Sequence, residues 1–103
     1  MNTFQGLSPM QKITYNATFE YADDGINILF PDIPNAISCA FDRDEAIFMA
    51  KDVLELVLHG SKISELPKAT SFSSAQENVE IVPITIEMEF KDGVLFGQTV
   101  VEC

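Results

Sequence analysis

The sequence predicts a two-layer α+β domain in which one long helix covers one face of a largely antiparallel sheet, with the order β-β-β-α-β and a further strand at the end. Three observations predict this fold. Two alternating apolar runs flank an Asp-Gly turn, one amphipathic run has the helical period, and the alternation returns near the end of the chain. At 103 residues the chain forms one domain, able to bury about two thirds of its unfolded surface.

The first two strands are predicted as a hairpin with one apolar face. Residues 15 to 21 place apolar side chains at every second position, as a half-buried strand requires. Asp24 and Gly25 follow where the chain must reverse, because glycine adopts a positive φ without steric cost. The alternation resumes from Ile26 to Phe30. A lone hairpin is marginally stable in water, so further elements must cover it.

A rigid connection and a third strand come next. Pro31 and Pro34 restrict the backbone around them to extended or turn geometry. Ile37, Cys39 and Phe41 then alternate with small residues, which predicts a short strand. We expect Cys39 to lie in or near the core.

The amphipathic run predicts a helix from about residue 43 to 59. Asp42 is placed to cap its first turn, and Glu45 completes a capping-box variant by reaching back. Small and aliphatic residues recur on one face at the helical period, and Phe48 and Glu55 fall on the opposite, polar face. Gly60 is expected to end the helix in the left-handed conformation.

The remaining segments are predicted from local composition. Residues 1–12 form a flexible N-terminal tail, and residues 61–78 form a loop that starts with a short helical turn over 61–66. Residues 79–103 form a C-terminal strand or hairpin, with Asp92-Gly93 as its turn. Pro83 marks an edge, a bulge or the beginning of that strand, because proline cannot donate to a ladder.

Charge and composition limit the function classes. The net charge of −10 arises from 16 acidic and 6 basic residues with no basic cluster, so direct nucleic-acid binding is not expected. Such a charge suits a basic partner, and it also serves solubility alone. No apolar run is long enough to cross a membrane and no signal peptide is visible, so we expect a cytoplasmic protein. Cys39 and Cys103 lack the spacing of a disulfide framework or zinc site, which predicts free thiols.

A set of motifs between residues 13 and 88 carries a family resemblance. Its strongest parts are the Phe-Pro-Asp-x-Pro element and the acidic residue and alanine that open the helix. The residues are Tyr15, Ala17, Asp23, Asp24, Gly25, Phe30, Pro31, Asp32, Pro34, Asp44, Glu45, Ala46, Ala50 and Pro67. The chain resembles the HicB-type antitoxin family, with residues 13–103 as a single HicB-like domain.

The resemblance implies both a fold and a partner. The fold is a partial ribonuclease-H-like domain, with three antiparallel strands and a helix that crosses to a fourth strand beside the first. The partner is a small basic HicA-type toxin that cleaves mRNA, which such antitoxins neutralise by covering its catalytic histidine and RNA-binding face. The chain departs from the family pattern at Asn35 and Ala40, where glycines are usual. Residues 89–103 show neither a basic strand nor a helical period, so no DNA-binding module is expected.

Acidic residues raise the alternative of metal-dependent nuclease chemistry, which uses several carboxylates together. The candidates are Asp23, Asp24, Asp32, Asp42 and Asp44. All fall at turn or cap positions, where aspartate is favoured by local hydrogen bonds. The single histidine, His59, is placed to cap the helix C-terminus. We therefore predict no catalytic residue, no metal site and no cofactor.

These observations lead to a functional hypothesis with one main rival. We expect a non-catalytic antitoxin that binds a HicA-type toxin and also itself, as a homodimer or higher homo-oligomer. The expected binding surface comprises an exposed sheet edge, the hairpin tip at Asp23 and Asp24, and the helix face at Phe48 and Glu55. The rival is a stand-alone oligomeric scaffold or regulator of the same fold without a toxin.

Overall fold

The computed structural model describes residues 10–71, 73 and 76–97, and it confirms the predicted α+β fold. A five-stranded sheet carries one helix on its inner face. The elements are β1 (Met10–Ala22), β2 (Gly25–Leu29), β3 (Ile37–Ala40), α1 (Arg43–Leu58), a 3₁₀ turn (Ile63–Glu65), β4 (Val79–Lys91) and β5 (Val94–Phe96). The predicted order of strands and helix, including the further strand at the end, is therefore observed.

All neighbouring strands of the sheet are antiparallel, in the order β3-β2-β1-β4-β5. β4 lies beside β1, as the family resemblance implied, and the two strands pair from Met10 opposite Glu89 to Glu20 opposite Val79. β1 begins at Met10, three residues before the predicted start of the domain. The rest of the predicted tail, residues 1–9, lies outside the described residues.

The core lies between the inner face of the sheet and α1. Alternate residues of β1 and β4 point into it, and Tyr15 and Phe19 are buried there. The helix contributes Ala46, Ala50 and Leu54 at the helical period, and its alanines allow the backbone to lie close to the sheet. Burial of each large apolar side chain in this core contributes about 2 kcal/mol to the free energy of unfolding.

The apolar alternation of β3 has the opposite orientation to the one expected. Cys39 is exposed, so the prediction that it lies in or near the core is wrong. The register explains the difference, because Ala40 lies opposite the buried Ile26 and therefore points inward. Since successive side chains alternate, Ile37 and Cys39 point to the outer face. Alternation predicts a strand but does not state which face is covered.

The helix begins at the predicted residue and ends at Leu58, one residue before the predicted end. Asp42 caps the first turn, accepting a hydrogen bond from the Glu45 amide. His59 is the C-terminal cap, and Gly60 follows with φ +84°. Among the described residues, no helix is both long enough and apolar enough to cross a membrane.

The side of the sheet formed by β4 and β5 is covered or interrupted. Leu95 of β5 exchanges strand-like hydrogen bonds with the segment after the helix. The Gly60 amide donates to the Leu95 carbonyl at 2.7 Å, and the Leu95 amide donates to the Ser61 carbonyl at 2.9 Å. The Ile63 amide donates to the Gly93 carbonyl at 2.9 Å. Pro83 lies inside β4, where the described part of the chain has no strand on the side away from β1. Of the three predicted alternatives, the edge position is the one observed.

Candidate functional site

The start of the helix is held by two reciprocal hydrogen bonds. The Asp42 carboxylate accepts from the Glu45 amide at 2.8 Å, and the Glu45 carboxylate accepts from the Phe41 amide at 2.7 Å. Glu45 therefore reaches the residue before the cap, which is the predicted capping box shifted by one residue. The arrangement fixes the turn and leaves the Phe41 side chain 85% exposed.

The acidic hairpin tip lies next to this helix start. Asp23 and Asp24 are both exposed, and they line a surface hollow of ≈350 Å³ together with Asp42 and Arg43. Gly25 makes the approach possible, because a Cβ built there would lie 2.7 Å from the Ala40 carbonyl oxygen. The residues predicted at the tip thus belong to a larger acidic cluster that includes the helix start, which we call the acidic end.

Arg43 is a positively charged residue within the acidic end, and its side chain is paired with Glu80. Its guanidinium makes two hydrogen bonds to the Glu80 carboxylate, at 2.8 and 3.1 Å, and the Tyr21 hydroxyl donates to the same carboxylate at 2.7 Å. The bonds from Arg43, and then from Tyr21, lower the pKa of Glu80. No local sequence signal links residues 43 and 80, so the sequence could not predict this network.

Phe48 and Glu55 lie together on the outer side of the helix, as predicted. They line a second, smaller hollow of ≈200 Å³ with Lys51 and Asp52. Phe48 is 66% exposed, so its ring is accessible to a partner. The hollow does not include Asp23 or Asp24. The hairpin tip and the helix face, two of the parts predicted for the binding surface, therefore line two separate hollows.

The Phe-Pro-Asp-x-Pro element is hydrogen-bonded to the loop that contains Thr70. The buried Phe30 anchors it, and the Ile33 amide donates to the Phe30 carbonyl at 2.9 Å. The Asp32 carboxylate accepts from both the amide and the hydroxyl of Thr70, at 2.9 and 2.7 Å. Nearby, the buried Tyr15 donates its hydroxyl proton to the Pro67 carbonyl.

Several other motif residues lie in the core, in a turn or at the surface beside a buried residue. Ala17, Ala46 and Ala50 are buried in the core, and Gly25 forms the turn. Pro31 and Pro34 are exposed on either side of the buried Ile33. The buried alanines allow the helix to lie close to the sheet, and Gly25 allows the hairpin to approach β3.

His59 packs against the end of β5. The Nδ1 atom of His59 accepts from the Gly97 amide at 3.0 Å, and its ring packs edge-on against Phe96. Within residues 10–71, 73 and 76–97, no three His, Cys, Asp or Glu side chains form a group that could hold a metal ion. Cys39 is exposed with a free thiol, whereas Cys103 lies outside the described residues.

Comparison with known proteins identifies a family. No curated protein matches the chain. A protein family described as "HicB_like antitoxin of bacterial toxin-antitoxin system" matches residues 14–91. The match begins in β1 and ends at the last residue of β4, so it includes the hairpin, the Phe-Pro-Asp-x-Pro element and the helix. The chain therefore belongs to the HicB-like antitoxins of bacterial toxin–antitoxin systems.

Proposed function

We propose that this antitoxin is non-catalytic and neutralises a small basic HicA-type mRNA-cleaving toxin by protein–protein binding. The antitoxin covers the toxin's catalytic and RNA-binding face. Inhibition of this kind requires a complementary surface and no chemistry from the antitoxin. The toxin binds at the acidic end and along the neighbouring helix face.

The acidic end is the observation that supports this proposal most strongly. Asp23, Asp24, Asp42 and Asp44 are exposed around the junction of the hairpin tip and the helix start. Arg43 directs its charge to Glu80 and so opposes their field only weakly. A ribonuclease needs a positive surface to hold RNA phosphates. An acidic end of this kind competes for the same surface and accelerates the encounter.

One exposed aromatic ring supplies apolar contact beside these charges. Phe48 lies on the outer face of the helix and is largely exposed. Buried aromatic side chains frequently dominate the affinity of an interface, whereas charges at the rim mainly set the association rate. We therefore assign specificity and rate to the carboxylates and much of the affinity to Phe48.

Co-expression with the product of an adjacent toxin gene tests the proposal. The antitoxin should relieve growth arrest and co-elute with the toxin on size exclusion. The variant Asp23→Asn/Asp24→Asn should bind more slowly and weaken binding by about tenfold, since two charges of the acidic end are removed. The matched control is Glu89→Gln/Asp92→Asn, which removes the same charge at the opposite end of β4 and should leave binding unchanged. Absence of both co-elution and rescue would refute the proposal.

We also propose that the chain forms a homodimer or a higher homo-oligomer. The open edge of β3, described below, favours this self-association. It is equally compatible with the rival function, a stand-alone oligomeric scaffold without a toxin. A gene neighbourhood that lacks a small basic reading frame, together with an oligomer in solution, would favour the rival.

A further inference from the structure

The edge of the sheet at β3 is open. β3 pairs with β2 on one side only, and within the described part of the chain no hydrogen bond engages its other side. The Ala40 carbonyl faces β2, since it lies 2.7 Å from where a Cβ on Gly25 would stand. Successive residues of an antiparallel strand direct their backbone groups to opposite sides. The amides and carbonyls of Ile37 and Cys39 therefore point outward, where they can accept another strand.

The side chains along this edge form a symmetric row. Cys39 lies on the outer face, with Ile37 two residues before it and Phe41 two residues after it. Ile37 is 59% exposed and Phe41 is 85% exposed. The row therefore reads apolar, small, apolar in both directions, so it is complementary to its own reverse. Symmetry of this kind is what a two-fold interface requires, because the same patch must serve both subunits.

We propose that the β3 edge pairs antiparallel with the β3 edge of a second copy of this chain, with Cys39 on the two-fold axis. The inference rests on the proposed self-association and not on toxin binding. Cys39 then exchanges backbone hydrogen bonds with the partner's Cys39, and Ile37 lies opposite the partner's Phe41. The Phe41 amide stays bound to Glu45, so at that position only the carbonyl takes part.

The distribution of charge favours this pairing in the antiparallel sense. The Phe41 end of β3 adjoins the acidic end, whereas the Ile37 end follows the uncharged residues 33–36. Antiparallel pairing places the acidic end of each copy beside the uncharged end of the other. A parallel pair would bring both acidic ends together, which two chains of net charge −10 would strongly oppose.

The helix adds apolar surface on the inner side of the same edge. Met49 lines a cleft with Cys39 and Ala40, so this flank of α1 faces β3. Leu56 follows Met49 by seven residues, which places both side chains within about 20° around the helix axis. Leu56 is 57% exposed. A two-fold axis perpendicular to the sheet keeps both helices on one face, with these flanks directed at each other.

The self-pairing and toxin binding should respond to salt in opposite ways. Salt screens repulsion between two acidic copies and so strengthens the dimer, whereas it weakens attraction between an acidic antitoxin and a basic toxin. Sedimentation equilibrium in the presence of reductant at low and high salt should show a dimer whose fraction rises with salt.

Cross-linking locates the interface. In the variant Cys103→Ser the remaining thiol is Cys39, and a short bis-maleimide should join two copies into a covalent dimer. The control variant Cys39→Ser keeps Cys103, and it should not give the covalent dimer that forms through Cys39. Ile37→Asp places a like charge in the interface and should raise the dimer dissociation constant by about tenfold or more. Circular dichroism then confirms that this variant still folds, as expected for an exposed residue.

Three outcomes would overturn the inference. The first is a monomer at all concentrations and salt levels. The second is cross-linking through Cys39 that is undiminished by Ile37→Asp. The third is protection of Cys39 from maleimide only after toxin is added, which would assign the edge to the toxin. Growth rescue is read separately: Ile37→Asp should still rescue and Phe48→Ala should rescue poorly while remaining dimeric, so failure of one proposal is distinguishable from failure of the other.

Discussion

The two sides of the sheet end in different ways. At β5 the chain covers its own edge, because Gly60, Ser61 and Ile63 bond to the strand or its turn. Beside it, Pro83 removes a donor from the stretch of β4 that β5 does not reach. At β3, no residue among those that the structure describes gives either protection to the outward backbone groups of Ile37 and Cys39.

This difference separates stability from recognition. Unpaired strand edges invite association, and proteins usually block those that they do not use. The β4–β5 side carries such blocks, and its Leu95 is fully buried. Within the described ranges the β3 side has no such block, and it exposes Ile37 and Phe41 instead. The covered side therefore contributes to the stability of one chain, and the open side is available to another.

The largest expected contrast is between equivalent truncations at the two edges. Leu95→Ala should destabilise the fold by about 3 kcal/mol, because it leaves a cavity where a fully buried side chain packed. Ile37→Ala should change the stability of the monomer by less than about 0.5 kcal/mol, since that side chain is mostly exposed. Urea denaturation at low protein concentration measures both. Equal losses would mean that the two edges are not different.

A second contrast compares the glycines of the two turns. Gly25→Ala should destabilise by about 2–3 kcal/mol, since φ is +147° and the new Cβ would meet the Ala40 carbonyl oxygen at 2.7 Å. Gly93→Ala should cost only about 1 kcal/mol, because φ is +80° and no atom lies within 4 Å of the new Cβ. Thermal unfolding of the two variants gives the difference. A milder effect at Gly25 would show that β2 and β3 can move apart there.

A third prediction concerns Pro67, which follows the segment that bonds to β5 and accepts a hydrogen bond from Tyr15. Tyr15→Phe should cost about 1 kcal/mol at neutral pH, because the buried hydroxyl no longer donates to the Pro67 carbonyl. Burial, and then the charge of Asp32, raises the pKa of Tyr15 above its ordinary value of 10.0. The folded state therefore holds this proton more tightly, and stability should fall as the pH rises from about 10 through the folded pKa.

The alkaline response distinguishes this hydroxyl from a mere packing contact. Tyr21, the other tyrosine, also has a raised pKa, so Tyr15→Phe should reduce the alkaline loss of stability without abolishing it. Urea midpoints at several pH values between 8 and 11 give the comparison. Identical alkaline profiles in the two proteins would contradict the role given to Tyr15.

The smallest effect is expected where the helix start is tied to β4. The bonds from Arg43 and Tyr21 lower the pKa of Glu80, so their contribution should be complete above about pH 4.5 and lost as the pH falls through the folded pKa. Glu80→Gln should remove this acid dependence and cost no more than about 0.5 kcal/mol at neutral pH, because the pair is partly exposed. A cost above 1 kcal/mol would mean that this surface network stabilises the acidic end more than its exposure suggests.

Local patterns in the sequence predicted the elements of the fold. The alternation from Tyr15, the Asp24-Gly25 turn, the cap at Asp42 and the stop at Gly60 each have a cause within a few residues. The order of strands, with β4 beside β1, came from the family resemblance. The predicted residues 98–103 of the C-terminal hairpin lie outside the described residues.

Long-range features could not be predicted in this way. The alternation of Ile37, Cys39 and Phe41 does not reveal which face the helix covers, so Cys39 was assigned to the wrong side. Arg43 and Glu80 are 37 positions apart in the sequence, and Asp32 and Thr70 are 38 positions apart, so neither contact has a local signature. The cover over β5 depends on backbone groups, which composition does not encode.

Amide hydrogen exchange at two protein concentrations tests the difference between the two edges most directly. The amides of Ile63 and Leu95 should be protected equally at both concentrations, because the chain itself supplies their partners. The amides of Ile37 and Cys39 should exchange rapidly in dilute protein and become protected when the concentration is raised. Protection of these two amides in dilute monomer would show that the edge is not open, and rapid exchange at every concentration would show that no second copy pairs with it.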